Sequence, residues 1–160
     1  MTGNSIHEPV QPPPREAHPS CGVLNSLLRG EISAAESYDM AIPSLRDHSP
    51  TEELEHIRND HRAAILRLRE RIAEAGGEPA DCSGVWGAVA AAVVGTAMVL
   101  GSRSVLSALR QGEEHGMSEY EKIMQSDDLP CDGRHLIERE LLPLCRRHVD
   151  VLEQLSAATH

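Results

Sequence analysis

Apolar residues recur at three- and four-residue steps along most of this chain, the spacing that lines one face of an α-helix. From Ser20, which offers an N-cap, Leu24, Leu27, Leu28, Ala35 and Tyr38 share one face of a helix predicted to run to about Asp47. Ser49-Pro50-Thr51-Glu52 then reads as a capping box with proline at the first helical position. It opens a second helix with Leu54, Ile57, Ala64, Ile65, Leu68 and Ile72 inward, ended by Gly76-Gly77. A connection this short makes the two helices an antiparallel hairpin. A second hairpin follows, from Val105 to Met124 (Leu106, Leu109, Met117, Tyr120 and Met124 in register) and from about Arg134 to Ser156 (Ile137, Leu141, Leu144, Leu152 and Leu155). The breaker-rich turn SDDLPCDG separates its arms.

Between the hairpins lies a long connection, residues 78–104, dominated by the uncharged run GVWGAVAAAVVGTAMVLG from Gly84 to Gly101. As a helix it would span about 27 Å, close to a membrane crossing. Its Ala/Gly-rich make-up, Arg103 at one end and the absence of a second such run weigh against a membrane. A helix apolar all round must be covered somewhere, so the expectation is a helix buried between the bundle and a symmetry mate, and hence a homo-oligomer.

The 160-residue length suits one domain, predicted over residues 20–158. With 15 Lys+Arg against 25 Asp+Glu and a net charge of -10, the chain lacks the cations that bind a phosphate backbone, so nucleic acid is not an expected partner. Aromatics are 2% with no Phe, which disfavours an all-β core and base-stacking platforms. The four cysteines, Cys21, Cys82, Cys131 and Cys145, form no CxxC pair, so neither a zinc knuckle nor a disulfide framework is indicated and a reducing cytoplasm fits best. The Pro-rich residues 1–19 lack a basic start followed by an apolar run, and are expected to be a disordered tail rather than a secretory signal.

The two hairpins repeat each other. Gly30-Glu31 followed by Tyr38 matches Gly112-Glu113 followed by Tyr120, and His61 four residues before Ile65 matches His148 four before Leu152. Glu31 lies between Leu27 and Ala35 at four-residue steps, and Glu113 sits likewise between Leu109 and Met117, so both carboxylates point inward with the two imidazoles. Buried charge of this kind demands compensation by a metal, by the groups themselves or by a buried cation.

RGEISAAESY, HRAAILRLRERIAEAGGEP, the glycine-rich start at SGVWG, and SVLSALRQGEEHGMSEYEKIM make residues 20–156 resemble the ferritin-like superfamily, and most closely the uncharacterised bacterial family called domain of unknown function 2383. The resemblance implies an all-α, ferritin-like four-helix bundle of two antiparallel hairpins, with the 78–104 connection as its crossover and an extra apolar helix within it. Di-iron members carry a Glu on one helix and Glu-x-x-His on the next, twice over, with a Tyr two turns after the first Glu. Here the positions three before each histidine are Arg58 and Cys145, so both Glu-x-x-His glutamates are missing.

The implied site is therefore at most mononuclear: one Fe, Mn or Zn ion held by Glu31, His61, Glu113 and His148, with Tyr38 and Tyr120 hydrogen-bonding the carboxylates and Cys145 a soft donor or a small hydrophobe. In the alternative, Arg58 pairs with Glu31 or Glu113 and the chain is a metal-free structural or interaction module assembling through residues 84–101. Oxidase or storage chemistry needs a dinuclear site, so an enzyme is not the expectation. Glu31 to His61 is 30 residues and Glu113 to His148 is 35, so Glu36 and Glu114 are substitutes if the registers differ. His56, Asp60, His115 and His135 lie off the apolar stripes and are expected at the solvated surface.

Overall fold

The computed structural model describes residues 20–45 and 51–159, and every element among them is helical. The 1–19 tail and the Ser49-Pro50 half of the predicted capping box lie outside the described residues. Helix α1 (Ser20–Leu45) and helix α2 (Glu52–Glu74) form the first hairpin. The second hairpin pairs α4 (Ser102–Ile123) with a return arm in which α5 (Cys131–Leu136), a π-helical turn (Ile137–Leu141) and α6 (Leu142–Ala158) follow without a break. Helix α3 (Val85–Leu100) occupies the crossover.

The helix ends follow local chemistry, and the starts of α2 and α4 differ from the periodicity. Thr51 is the N-cap of α2 but its hydroxyl makes no capping bond, so the helix opens on the acidic Glu52, Glu53 and Glu55, which suit its positive end. Gly76, at φ 77°, closes α2 as expected, with Gly77 N–H donating to Ile72 O at 2.9 Å. Helix α4 starts before Val105 because Gly101, at φ 105°, turns the chain directly from α3 into α4. The π-helical turn precedes Pro143, which has no N–H for the carbonyl one turn back and whose ring would crowd it; the widened turn makes room.

Side-chain contacts set the helix directions. Asn25 clamps the start of the crossover by donating to Glu78 O at 2.9 Å and accepting from Ala80 N–H at 2.7 Å, which places the start of α1 beside the end of α2. Tyr38 of α1 reaches Glu113 of α4 and Tyr120 of α4 reaches Glu31 of α1, so these two helices are antiparallel. Helix α3 runs back along α1, with Ser83 donating to Glu36 at 2.6 Å, and then alongside α4, with the Trp86 and His115 rings 5.6 Å apart. It therefore returns the chain to the end of the bundle from which α4 starts.

The core has two apolar layers. Leu24, Leu28, Leu68, Ile72, Ile137 and Leu141 belong to one, and Ile42, Leu45, Leu54, Leu106 and Leu152 to the other. Along α1, α2, α4 and α6, the buried Glu31, His61, Glu113 and His148 fall between the residues of these two layers. Among the described residues no helix is long and apolar enough to cross a membrane. The apolar α3 buries Gly87, Val94 and Ala97 against the bundle but exposes its opposite face, so the full burial expected for it is not achieved within one chain.

Candidate functional site

Each inward polar residue replaces an apolar residue in its helix stripe, so ordinary core packing carries it to the bundle axis. His61 is the centre of the resulting layer. Its Nδ1 lies 2.8 Å from Glu31 Oε2 and its Nε2 lies 2.9 Å from Glu113 Oε1. Glu113 is the most heavily engaged group. Oε1 also accepts from the Tyr38 hydroxyl at 2.7 Å, while Oε2 faces His148 Nδ1 at 3.2 Å and accepts from the Cys145 thiol at 3.4 Å. Tyr120 donates to Glu31 Oε1. The His61 and His148 rings meet edge-on with centroids 5.2 Å apart.

Both hairpin registers therefore bring Glu and His together despite the different sequence separations. The second hairpin is longer in its return arm, where α5 and the π-helical turn precede α6. Glu36 and Glu114 do not substitute: Glu36 accepts from Ser83 and Glu114 pairs with Arg110.

Two sequence expectations are corrected. Arg58 does not reach the buried carboxylates; its guanidinium pairs with Asp39 of α1 at 3.2 Å, near the surface and beside Arg62, which contacts the same carboxylate at 3.0 Å. Its position before His61 places it on the flank of α2 facing α1, where Asp39 is nearer than the axis. Asp60 is not simply a solvated residue. Its Oδ2 lies 3.1 Å from His148 Nε2 and 3.5 Å from Arg147. Periodicity within α2 could not find it, because its partner belongs to α6; its place beside His61 was the one available signal.

The electrostatics follow from burial and proximity. Burial opposes charge on His61, but Glu113 and Glu31 together outweigh it and raise its pKa well above the ordinary 6.5. Burial likewise opposes ionisation of Glu113, yet His61 and His148 hold its carboxyl far below the usual 4.5. Burial and then the adjacent carboxylates push the Tyr38 and Tyr120 hydroxyls well above 10.0, so both remain donors. Burial and Glu113 push the Cys145 thiol above its ordinary 9.0, leaving it a protonated donor to Glu113.

The layer thus has two ways to balance its charge. As an imidazolium, His61 donates from both ring nitrogens to two carboxylates. As a neutral ring it keeps Nδ1–H on Glu31 and faces the Glu113 carboxylate with its Nε2 lone pair, an arrangement that balances only with a cation between them. His61, Glu113 and His148 each offer a donor atom, and these atoms all lie within 4.8 Å of one another. Glu31 stands outside this set, on the far nitrogen of His61, and Asp60 stands in the same relation to His148. A carboxylate behind each imidazole is the arrangement that fixes tautomer and ring orientation in histidine metal ligands.

No curated protein and no solved structure matches the chain. Residues 21–126, which hold α1 to α4 and with them Glu31, His61 and Glu113, match the family model described as Domain of unknown function (DUF2383), and the chain belongs to that family.

Proposed function

We propose that this protein is a ferritin-like bundle whose polar layer holds one divalent transition-metal ion, Fe, Mn or Zn, on His61, Glu113 and His148. The observation that carries this reading is the pairing of each imidazole's outer nitrogen with a carboxylate, Glu31 for His61 and Asp60 for His148, which leaves the inner nitrogens aimed at Glu113. Two imidazoles and a carboxylate suit these ions. The reciprocal α1–α4 contacts and the crossover helix support the ferritin-like plan. Among the described residues the layer is the one cluster that could hold an ion, with Arg58 turned to Asp39 and Cys145 in place of the second Glu-x-x-His glutamate, so oxidase and storage chemistry are not proposed. A homo-oligomer in the cytoplasm completes the reading.

A metal-free structural module is the second reading, favoured by one observation. The network closes by itself: among the described residues, the buried side-chain polar atoms without a hydrogen-bond partner are Arg58 Nε and Ser156 Oγ, neither in the layer. In this form His61, rather than the expected Arg58, neutralises the carboxylates. Elemental analysis of protein purified without chelator or affinity metal separates the readings. One equivalent of metal, lost in Glu113→Ala and His148→Ala, supports the first; metal-free protein that resists reconstitution with Fe(II), Mn(II) and Zn(II) overturns it in favour of the second.

A further inference from the structure

Among the described residues, the outward face of α3 is apolar and uncovered. Opposite its buried Gly87, Val94 and Ala97, the residues Val85, Val89, Ala92, Thr96 and Val99 succeed one another at steps of four, three, four and three. That is the seam spacing of helices that pack along their length against another helix. Val85 is 80%, Val99 87% and the flanking Leu100 71% exposed, and no charged residue occurs between Asp81 and Arg103. Seven of the nine large hydrophobic side chains exposed among the described residues lie on this one helix, a clustering unlike the scattered single apolar residues of an ordinary monomer surface.

We infer that this face is where a second copy of the chain docks, α3 against α3 about a two-fold axis. The inference rests on the homo-oligomer reading above and adds the face of α3 that makes the contact and its two-fold pairing with itself. The required partner is an uncharged apolar helix with the same seam spacing, and the same face of a second copy meets that need by identity. A two-fold contact also closes on itself, so assembly stops at a dimer. Ala92 and Thr96, in the middle of the seam, are small enough to let the helix axes approach. A lipid surface fits less well: interfacial helices carry Lys and Arg along their polar flank, whereas Glu36 and Asp39 border α3 on its α1 side and the chain carries a net charge of -10.

Sedimentation equilibrium of the full chain at tens of micromolar tests this. Wild type is expected at twice the 17.4 kDa chain mass, and Val89→Glu/Val99→Glu, altering only exposed positions, at the single-chain mass with an unchanged helical circular dichroism spectrum. Ala92→Cys supplies a gain-of-signal check, since mid-seam residues face each other: mild oxidation should cross-link it far beyond the wild-type level. Wild type at single-chain mass overturns the oligomer reading itself. A dimer that persists in the double variant, or Ala92→Cys that does not cross-link, retains an oligomer but overturns this seam. Co-flotation of wild type with phosphatidylcholine vesicles, abolished in the double variant, overturns it in favour of a lipid.

Discussion

The Tyr38 hydroxyl donates to Glu113 at 2.7 Å, and Tyr120 returns the same contact to Glu31, so each hairpin supplies the tyrosine that holds the other's carboxylate. This exchange locks α1 against α4 at the depth of the polar layer and requires the two helices to be antiparallel. Tyr38→Phe keeps the ring and removes the donor to a buried carboxylate, a loss of about 1.5–3 kcal/mol. Urea denaturation checks it; a cost under about 0.5 kcal/mol would show that Glu113 does not depend on the hydroxyl.

His61→Ala leaves Glu31 and Glu113 buried without the ring that bridges them. The expected destabilisation is about 3–5 kcal/mol at neutral pH. The deficit should shrink in acid, where the carboxylates shed their charge by protonation. Denaturation midpoints of wild type and variant at two pH values test both parts, and a deficit that does not change with pH would mean that the carboxylates are not the source.

The stability of chelator-treated protein should peak in mild acid. His61 has a raised pKa, so its contribution is complete below 6.5 and fades as pH climbs through the raised value. Glu113 has a lowered pKa, so its contribution is complete above 4.5 and fades only as pH falls through the depressed value. Both are intact between 4.5 and 6.5. A urea midpoint that keeps rising from pH 6 to pH 9 would contradict the imidazolium bridge.

Arg58→Ala should cost little, about 1 kcal/mol or less, because the guanidinium pairs with Asp39, itself 46% exposed, and not with the buried carboxylates. Thermal or urea melts are sufficient to check it. A loss as large as that of His61→Ala would restore Arg58 as the counter-ion of the layer.

If the layer holds a metal as proposed, its affinity, in contrast to metal-free stability, should rise with pH, since imidazoles that bind a metal must release their protons. Asp60→Asn removes the carboxylate behind His148 and should weaken binding about 10- to 100-fold while the fold persists. Competition titrations with Zn(II) or Mn(II) between pH 6 and pH 8 read both effects. Equal affinity in wild type and Asp60→Asn would remove Asp60 from the site.

Much of the layer was legible before any coordinates, because a polar residue at a core position of an amphipathic helix has one direction to point. Glu31, His61, Glu113 and His148 stand at such positions, and the repeat adds Tyr38 and Tyr120, whose bonds to the carboxylates are what the family resemblance implies. Arg58 and Asp60 depart from their expected surroundings because both lie on the flanks of α2, where the helix stripe does not decide which neighbour is met. Asp39 captured one and His148 the other.

The linear pattern is sufficient for the helices, their hairpins and the depth of their polar residues, since periodicity and turn chemistry are local properties of consecutive positions. Which oxygen meets which nitrogen is not local. The antiparallel setting of α1 and α4 crosses the tyrosines between hairpins, the α2–α6 contact places Asp60 behind His148, and the packing of α3 on one side alone leaves its other face bare. Those outcomes depend on rotations and offsets between helices, fixed by the joint packing of distant segments that no single stretch of chain encodes.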